Sequence, residues 1–356
     1  MKRFLLIALL FGALSAKAQT VAEQEQAAQI AQLQQEVTTL NEQVATLQKK
    51  STTWDKITKA LPKISGYAQV RYDYNDGDGS STFQLRRVRM SFDGNISPKL
   101  DYKLQLELTS TPKIVDAYFS YKPLNGLKVR VGQYKVPFSI ENTDYGPTKL
   151  ELIDYSLAIS YLVGNSESAS AKDKANGRDI GIKLYGDFFD KVLSYDLGVF
   201  NGAGINCKDN NKSKDIVGRI MVRPVDGLVI SGSYLWSEGG TGYITRNRWA
   251  AGVCYDKGAV MARSEWIGGK TGNIKSDGMY VVAGYRFCKD FMVVARYEQF
   301  CFNDADRNAH TQENYTAGIA WQPIKHFKLQ ANYVYEDFIS GKGHNNMFQV
   351  QAAAMF

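Results

Sequence analysis

Residues 98–109 read PKLDYKLQLELT, and the fold is decided by this stretch. Leu100, Tyr102, Leu104, Leu106 and Leu108 alternate with Lys99, Asp101, Lys103, Gln105 and Glu107. A period of two marks a β-strand with one apolar and one polar face. The same alternation returns at Val115–Lys122, Leu127–Gly132 and Phe327–Glu336. These strands run for about 9–12 residues, where soluble strands are commonly 5 or 6. The turns fall into two alternating classes. Tight ones contain NISP near 95, PLNG near 123, DFFD near 187, PVDG near 224, DKG near 256, CKD near 288 and QPIK near 322. The other set is generally longer and more polar: 202–213, 238–245, 268–275, 302–311 and 338–344, with a much longer one at 137–177. Its two early members, 75–80 and 110–113, are short. Tight turns on one rim and longer loops on the other are the pattern of an outer-membrane barrel. Tyrosines and phenylalanines gather near strand ends, as interface girdles require.

Hairpin counting predicts an all-β fold, a transmembrane antiparallel β-barrel of about sixteen strands over residues 63–356. The expected spans are 64–74, 81–93, 98–109, 114–122, 127–136, 178–187, 191–201, 214–224, 227–237, 244–256, 259–267, 276–287, 291–301, 311–322, 326–337 and 345–356. An even count places both barrel ends on the tight-turn, periplasmic rim. A closed barrel satisfies every backbone polar group in lipid, and sixteen strands enclose a water-filled channel. A mean hydropathy of −0.31 excludes a helical membrane protein without excluding a barrel.

The chain starts MKRFLLIALLFGALSAKAQT. Lys2 and Arg3, an apolar run to Leu14 and the small residues Ala16 and Ala18 form a signal peptide, residues 1–18, cut before Gln19. Of 43 basic and 36 acidic residues, removal of Lys2, Arg3 and Lys17 leaves 40 and 36, a net of +4. A charge this mild and dispersed argues against a nucleic-acid partner. Residues 21–50 carry Ile30, Leu33, Val37, Leu40, Val44 and Leu47 at heptad spacing. They read as a short periplasmic coiled-coil helix, followed by a linker over 51–62. β-branched residues at one seam position and Leu at the other favour a parallel dimer. A helix packed on its own domain is the alternative.

The stretch FQLRRVRMSFDGNISPKLDYKLQLEL (83–108), followed by DAYFSYKPLNGLKVRVGQYKVPFSIEN (116–142), resembles the phosphate-selective porin O and P family. Arg178-Asp179-Ile180-Gly181 looks like that family's next strand, and the terminal Phe356 is similar to an outer-membrane assembly signal. The coil ahead of the barrel resembles members from Bacteroidetes-type lineages. The resemblance implies a homotrimeric channel in the Gram-negative outer membrane for small solutes, often anions. Family members known for phosphate transport carry lysine clusters on constriction loops. The 137–177 loop departs from this, with six acids (Glu141, Asp144, Glu151, Asp154, Glu167 and Asp173) against Lys149, Lys172 and Lys174.

Alternation assigns the lumen face independently. Its basic residues are Arg71, Arg87, Arg89, Lys103, Lys128, Arg130, Lys183, Arg219, Arg223, Arg248, Arg263, Arg286, Arg296 and Lys328. Its acidic ones are Asp73, Asp101, Glu107, Asp116, Asp179, Asp196, Glu265, Glu298 and Glu336. The first six basic residues sit on neighbouring strands and could form one cationic patch; pairing to Asp101, Glu107 and Asp116 is the competing reading. Ion pairing to Arg263 and Arg296 is the simplest role for Glu265 and Glu298. Gly132 reads as room for a folded-in loop. The 137–177 loop, with Leu150, Leu152, Ile153, Leu157, Ile159, Tyr161 and Leu162, is too apolar to stay hydrated. It is expected to fold inward as the constriction, with Lys149, Glu151 and Asp154 among its residues.

Histidines are confined to His310, His326 and His344, and the four cysteines match no metal spacing. No cofactor, metal or catalytic group is expected, and the chain does not read as an enzyme. The expected function is a passive channel for small hydrophilic solutes with a mild anion preference, phosphate among the candidate anions. The competing class is a structural barrel, bound to outer-membrane lipid and tethered through residues 21–50 to the cell wall or a periplasmic partner.

Overall fold

The computed structural model describes residues 28–29, 31–46, 61–164, 177–338 and 343–356. Two compact units emerge, Met1–Leu61 and Pro62–Phe356. In the first, residues 31–46 form a single helix. Its seam residues Leu33, Val37, Leu40 and Val44 are 50–59% exposed. Thr38, Thr39 and Thr46 each donate a hydroxyl to the carbonyl four residues back, so these polar side chains are satisfied on the helix itself. The signal peptide, both ends of the expected coil and most of the linker lie outside the described residues.

The second unit is a closed antiparallel sheet. Its strands are β1 (Lys63–Asn75), β2 (Ser80–Ser97), β3 (Leu100–Glu107), β4 (Lys113–Leu124), β5 (Leu127–Lys135), β6 (Arg178–Phe188), β7 (Leu193–Phe200), β8 (Asp215–Val222) and β9 (Leu228–Trp236). They continue as β10 (Glu238–Gly239), β11 (Ile244–Lys257), β12 (Val260–Thr271), β13 (Ile274–Arg286), β14 (Phe291–Cys301), β15 (Thr311–Ile324), β16 (Phe327–Phe338) and β17 (Gly343–Met355). The two-residue β10 only prolongs the β9–β11 hairpin, so the wall has sixteen strands. β1 pairs β17 from Tyr67↔Met355 to Asn75↔Met347, which closes the barrel and leaves no sheet edge. Each of the sixteen expected spans overlaps its strand, several strands running a few residues further.

Two turn readings need correction. The loop expected at 268–275 is a two-residue turn, because β12 and β13 stay paired up to Thr271↔Ile274. Near 95 the strand does not stop; β2 runs on to Ser97 through a register shift.

The burial pattern is inverted relative to a soluble protein. Outward side chains are large and apolar, such as Ile220 (56% exposed) and Trp266 (57%). The largest fully buried side chains include Arg219, Arg246, Arg248 and Arg263. A sheet with this polarity is stable only with lipid outside and water or polar partners inside.

The chain between β5 and β6 turns into the barrel. Within it lie two short helices, Ile140–Asp144 and Leu157–Leu162. Leu152, Leu157, Ile159 and Leu162 are buried against Phe200, Val217, Leu235, Val282 and Phe300 of the inner wall. Burying a Leu or Ile is worth roughly 1.5–3 kcal/mol each, so this apolar stripe fixes where the loop rests. Gly132 serves a different contact from the one expected. A Cβ there would lie 2.2 Å from the Ala117 carbonyl, so the glycine admits a close approach of β4 to β5, not of the loop.

Candidate functional site

The loop is latched to inward side chains by charge. Glu265 of β12 accepts the backbone N–H groups of Ile140 (2.6 Å) and Glu141 (2.9 Å), the Ser139 hydroxyl (2.9 Å) and the Tyr280 hydroxyl (2.7 Å). Glu298 of β14 accepts the N–H of Leu157 at 2.6 Å. Each wall carboxylate therefore satisfies the open N-terminus of one loop helix, where backbone donors lack intrahelical partners. Glu298 also pairs Arg296 at 3.0 Å, as expected from the sequence. Glu265 does not pair Arg263, and that expectation is corrected. Arg263 instead bridges Glu141 (3.1 Å) and Glu151 (2.9 Å) and lies 3.8 Å over the Tyr145 ring. The loop's own acids outcompete Glu265 for the guanidinium, because Glu265 is saturated by four donors.

Other wall cations complete the latch. Arg219 pairs Asp144, and Arg248 donates to the Leu162 carbonyl at 3.2 Å. Lys328 donates to the Leu150 carbonyl at 2.6 Å. Arg71 reaches Asp154 at 2.8 Å, and Arg296 donates to the Asp154 carbonyl at 2.8 Å. Lys149 is exposed, whereas Glu151 is buried.

Of the six residues expected as a cationic patch, four are neutralised. Arg71 is held by Asp73 (2.5 Å) and Asp154, Arg89 by Glu107 (2.7 Å), Lys103 by Asp93 (3.0 Å) and Lys128 by Asp187 (2.7 Å). Arg130 stacks 4.0 Å over Tyr118 and donates to the Ser120 hydroxyl at 3.0 Å. Arg87 donates only to the Gln69 side chain, at 3.1 Å, among the described residues. Lys183 pairs Asp196 at 2.5 Å. Asp116 and Asp101 do not pair the patch arginines; they hold Arg178 (2.8 Å) and Lys122.

Three buried or half-buried cations escaped alternation. Arg246 lies two residues before Arg248 on the same face and could have been found by parity; it pairs Asp215 at 3.1 Å. Arg178 opens its strand, where alternation no longer dictates facing. Arg86 is the extra residue of a β-bulge, since Gln69 pairs Arg87 while Val70 pairs Leu85. A bulge redirects side chains, and two consecutive arginines in a lipid-facing strand were its signal.

A cavity of about 700 Å³ lies between the loop and the wall formed by β1–β4 and β14–β17, on the long-loop side. Arg86, Arg87 and Lys113 line it without a carboxylate partner among the described residues. The acids there are engaged: Glu107 by Arg89, Glu298 by Arg296, Asp154 by Arg71, and Glu336 by the Asn345 amide at 2.9 Å. A second cavity, about 620 Å³, opens on the tight-turn side and is lined by Thr148, Lys149, Glu151, Lys289 and Lys328. The loop stands between the two.

Solved structures share this fold. The anion-selective porin from Comamonas acidovorans superposes with a TM-score of 0.65 at 16% identity, over 83% of this chain and 99% of that one. OmpF of Salmonella typhi, in complex with daunomycin, gives 0.64 at 15%, over 84% and 99%. The outer-membrane channel DcaP of Acinetobacter baumannii gives 0.60 at 14%, over 83% and 97%. No individual curated protein matches the chain. The sequence profile described as phosphate-selective porin O and P matches residues 64–235 and 225–346, nearly the whole barrel. The chain therefore belongs to the phosphate-selective porin O and P family, as an outer-membrane β-barrel with a porin-type channel.

Proposed function

We propose that the channel passes small hydrophilic solutes passively with a mild preference for anions, inorganic phosphate among them, and that the 137–177 loop is its constriction. The observation that carries this is the imbalance in the long-loop cavity. Arg86, Arg87 and Lys113 are unpartnered among the described residues, while every acid named there is held. Selectivity follows from unpaired charge near the narrowest passage, and neutralised pairs contribute little to it. The lumen role of Arg71, Arg89, Lys103, Lys128, Lys183, Arg219, Arg248, Arg263 and Arg296 is accordingly to brace wall and loop. The triple variant Arg86→Gln, Arg87→Gln, Lys113→Gln should lose most of the anion preference while keeping its conductance. Reversal potential across a potassium chloride gradient measures this, and a value equal to the parent's would exclude these residues from selectivity.

The exposed seam of the N-terminal helix supports self-association, and we assign it to a periplasmic accessory clamp on a trimer of barrels. About three heptads are marginal alone, so barrel contacts set the stoichiometry. Removing residues 21–50 should leave the mass at three barrels and lower the temperature at which they separate, as native mass spectrometry reads. A full-length dimer, or monomers after removal, would reverse that order of importance. The same seam suits a tether to an envelope partner; repeated bilayer insertions without current steps would favour that reading over the channel.

A further inference from the structure

The outward face of β12 and β13 carries two like charges in an unfavourable place. Lys270 and Lys275 are direct cross-strand partners beside the Gly272–Asn273 turn on the long-loop rim. Both are exposed, and neither side chain has an ion pair or hydrogen bond among the described residues. Like charges directly opposite each other on a sheet repel. Below them a groove of about 400 Å³ runs between Tyr234, Trp249 and Trp266. Gly268 creates it: a Cβ there would sit 2.6 Å from the Trp249 ring, so the indole can lie flat on the sheet. Trp249 and Trp266 meet edge to face at 5.1 Å. Arg307 closes the top of the groove, fixed at 2.7 Å by Asp277 and at 2.5 Å by Asp304.

An aromatic girdle accounts for the rings, because Trp and Tyr favour the membrane interface. It does not account for the lysine pair. On the same rim two acids, Glu313 and Asp337, also face each other across β15 and β16, but Glu313 is satisfied by the Tyr297 and Tyr315 hydroxyls and the Gln299 amide, whereas neither lysine side chain has a partner among the described residues. The cations are local, they sit at the polar end of an apolar groove, and they lack an anion.

We propose that this groove seats a phosphate-bearing glycolipid of the outer leaflet. Its phosphate lies between the Lys270 and Lys275 ammonium groups, and its acyl chains lie along Trp266 and Tyr234. The assignment rests on the outer-membrane placement of the barrel with its long-loop rim outward, and it is independent of the ion preference of the channel. A bridging phosphate converts the lysine repulsion into attraction, and a surface cation near anionic headgroups contributes appreciably to lipid affinity.

The test uses the full chain in detergent, with monophosphorylated lipid A, its dephosphorylated counterpart and inorganic phosphate as probes, read by native mass spectrometry. The parent should retain the phosphorylated lipid. The variant Lys270→Gln, Lys275→Gln should bind it roughly tenfold or more weakly, with the dephosphorylated lipid unaffected. Lys270→Arg, Lys275→Arg should keep the binding. Heat-modifiable electrophoretic mobility and unchanged conductance verify that each variant folds. Equal lipid retention by parent and glutamine variant would overturn the proposal. So would inorganic phosphate competing as well as the lipid, which would make this a site for the free ion. Loss of oligomer mass in the glutamine variant without loss of lipid would overturn it too, and would assign the face to a protomer contact.

Discussion

Excising residues 139–163 behind a short Gly-Ser bridge should raise single-channel conductance several-fold and strengthen anion preference together. The first effect follows from geometry. The loop separates a cavity of about 700 Å³ on the long-loop side from one of about 620 Å³ on the tight-turn side. Without it the two merge, and a sixteen-strand barrel is wide enough for an aqueous channel. The second effect follows from charge. The excised stretch holds Glu141, Asp144, Glu151 and Asp154 against Lys149 alone, a net of −3. Its loss frees Arg219 and Arg263, which are now held by those acids, and leaves Arg71 to Asp73 alone. The barrel should survive because its backbone pairing closes through β1 and β17 without the loop. It should melt at a lower temperature, since the apolar stripe on Phe200, Val217 and Phe300 loses its cover. Bilayer recordings with a reversal-potential measurement read both effects. Unchanged conductance in a folded variant would mean that the narrowest point lies elsewhere.

How much of this was legible in the sequence depends on whether a feature is local. Strand facing is local, and period two over residues such as Leu100–Leu108 placed all sixteen strands. The 268–275 misreading has a local cause with a distant explanation. Gly268, Gly269 and Gly272 read as a loop, but only Gly272 is in the turn. Gly268 makes way for Trp249, and Gly269 for Arg248, whose Cδ would lie 2.6 Å from an added Cβ. The inward apolar loop was legible too, because Leu150–Leu162 could not remain in water.

Ion pairs within one strand or between neighbours were legible, as for Arg296 with Glu298 and Arg89 with Glu107, but the pairs that hold the loop were not, because barrel closure decides them. Arg263 finds Glu141 and Glu151 more than a hundred residues earlier, across the lumen and not along a strand. Counting basic and acidic positions on the wall could not tell which charges cancel. Of the six residues read as a cationic patch, Arg71, Arg89, Lys103 and Lys128 each have their own carboxylate, and Arg87 and Arg130 do not. The charge without a carboxylate partner among the described residues includes Arg87, which was expected in the patch, and Arg86, which a one-residue bulge turns away from the expected face.

Replacing Glu265 with alanine should unlatch the loop without unfolding the barrel. The substitution leaves the Ile140 and Glu141 N–H groups and the Ser139 and Tyr280 hydroxyls without their acceptor. Buried donors stripped of a partner cost about 2–4 kcal/mol together, after partial relaxation toward lumen water. That cost falls on the loop-docked state alone, so undocked conformations gain population and the current should show substates and excess noise. Glu265→Gln keeps one carbonyl acceptor and should show a smaller effect. Glu298→Ala acts on the second helix through Leu157 and should resemble Glu265→Ala. The two should not add. Glu141 links both helices, accepting from Arg263 and, at 2.9 Å, from the Ser156 N–H, so releasing one end loosens the other. Protease cleavage within 139–163 gives a second readout of undocking. A quiet Glu265→Ala channel, uncleaved and at parental conductance, would show that Leu152, Leu157 and Leu162 hold the loop by packing, with the carboxylate merely satisfying donors that were already fixed.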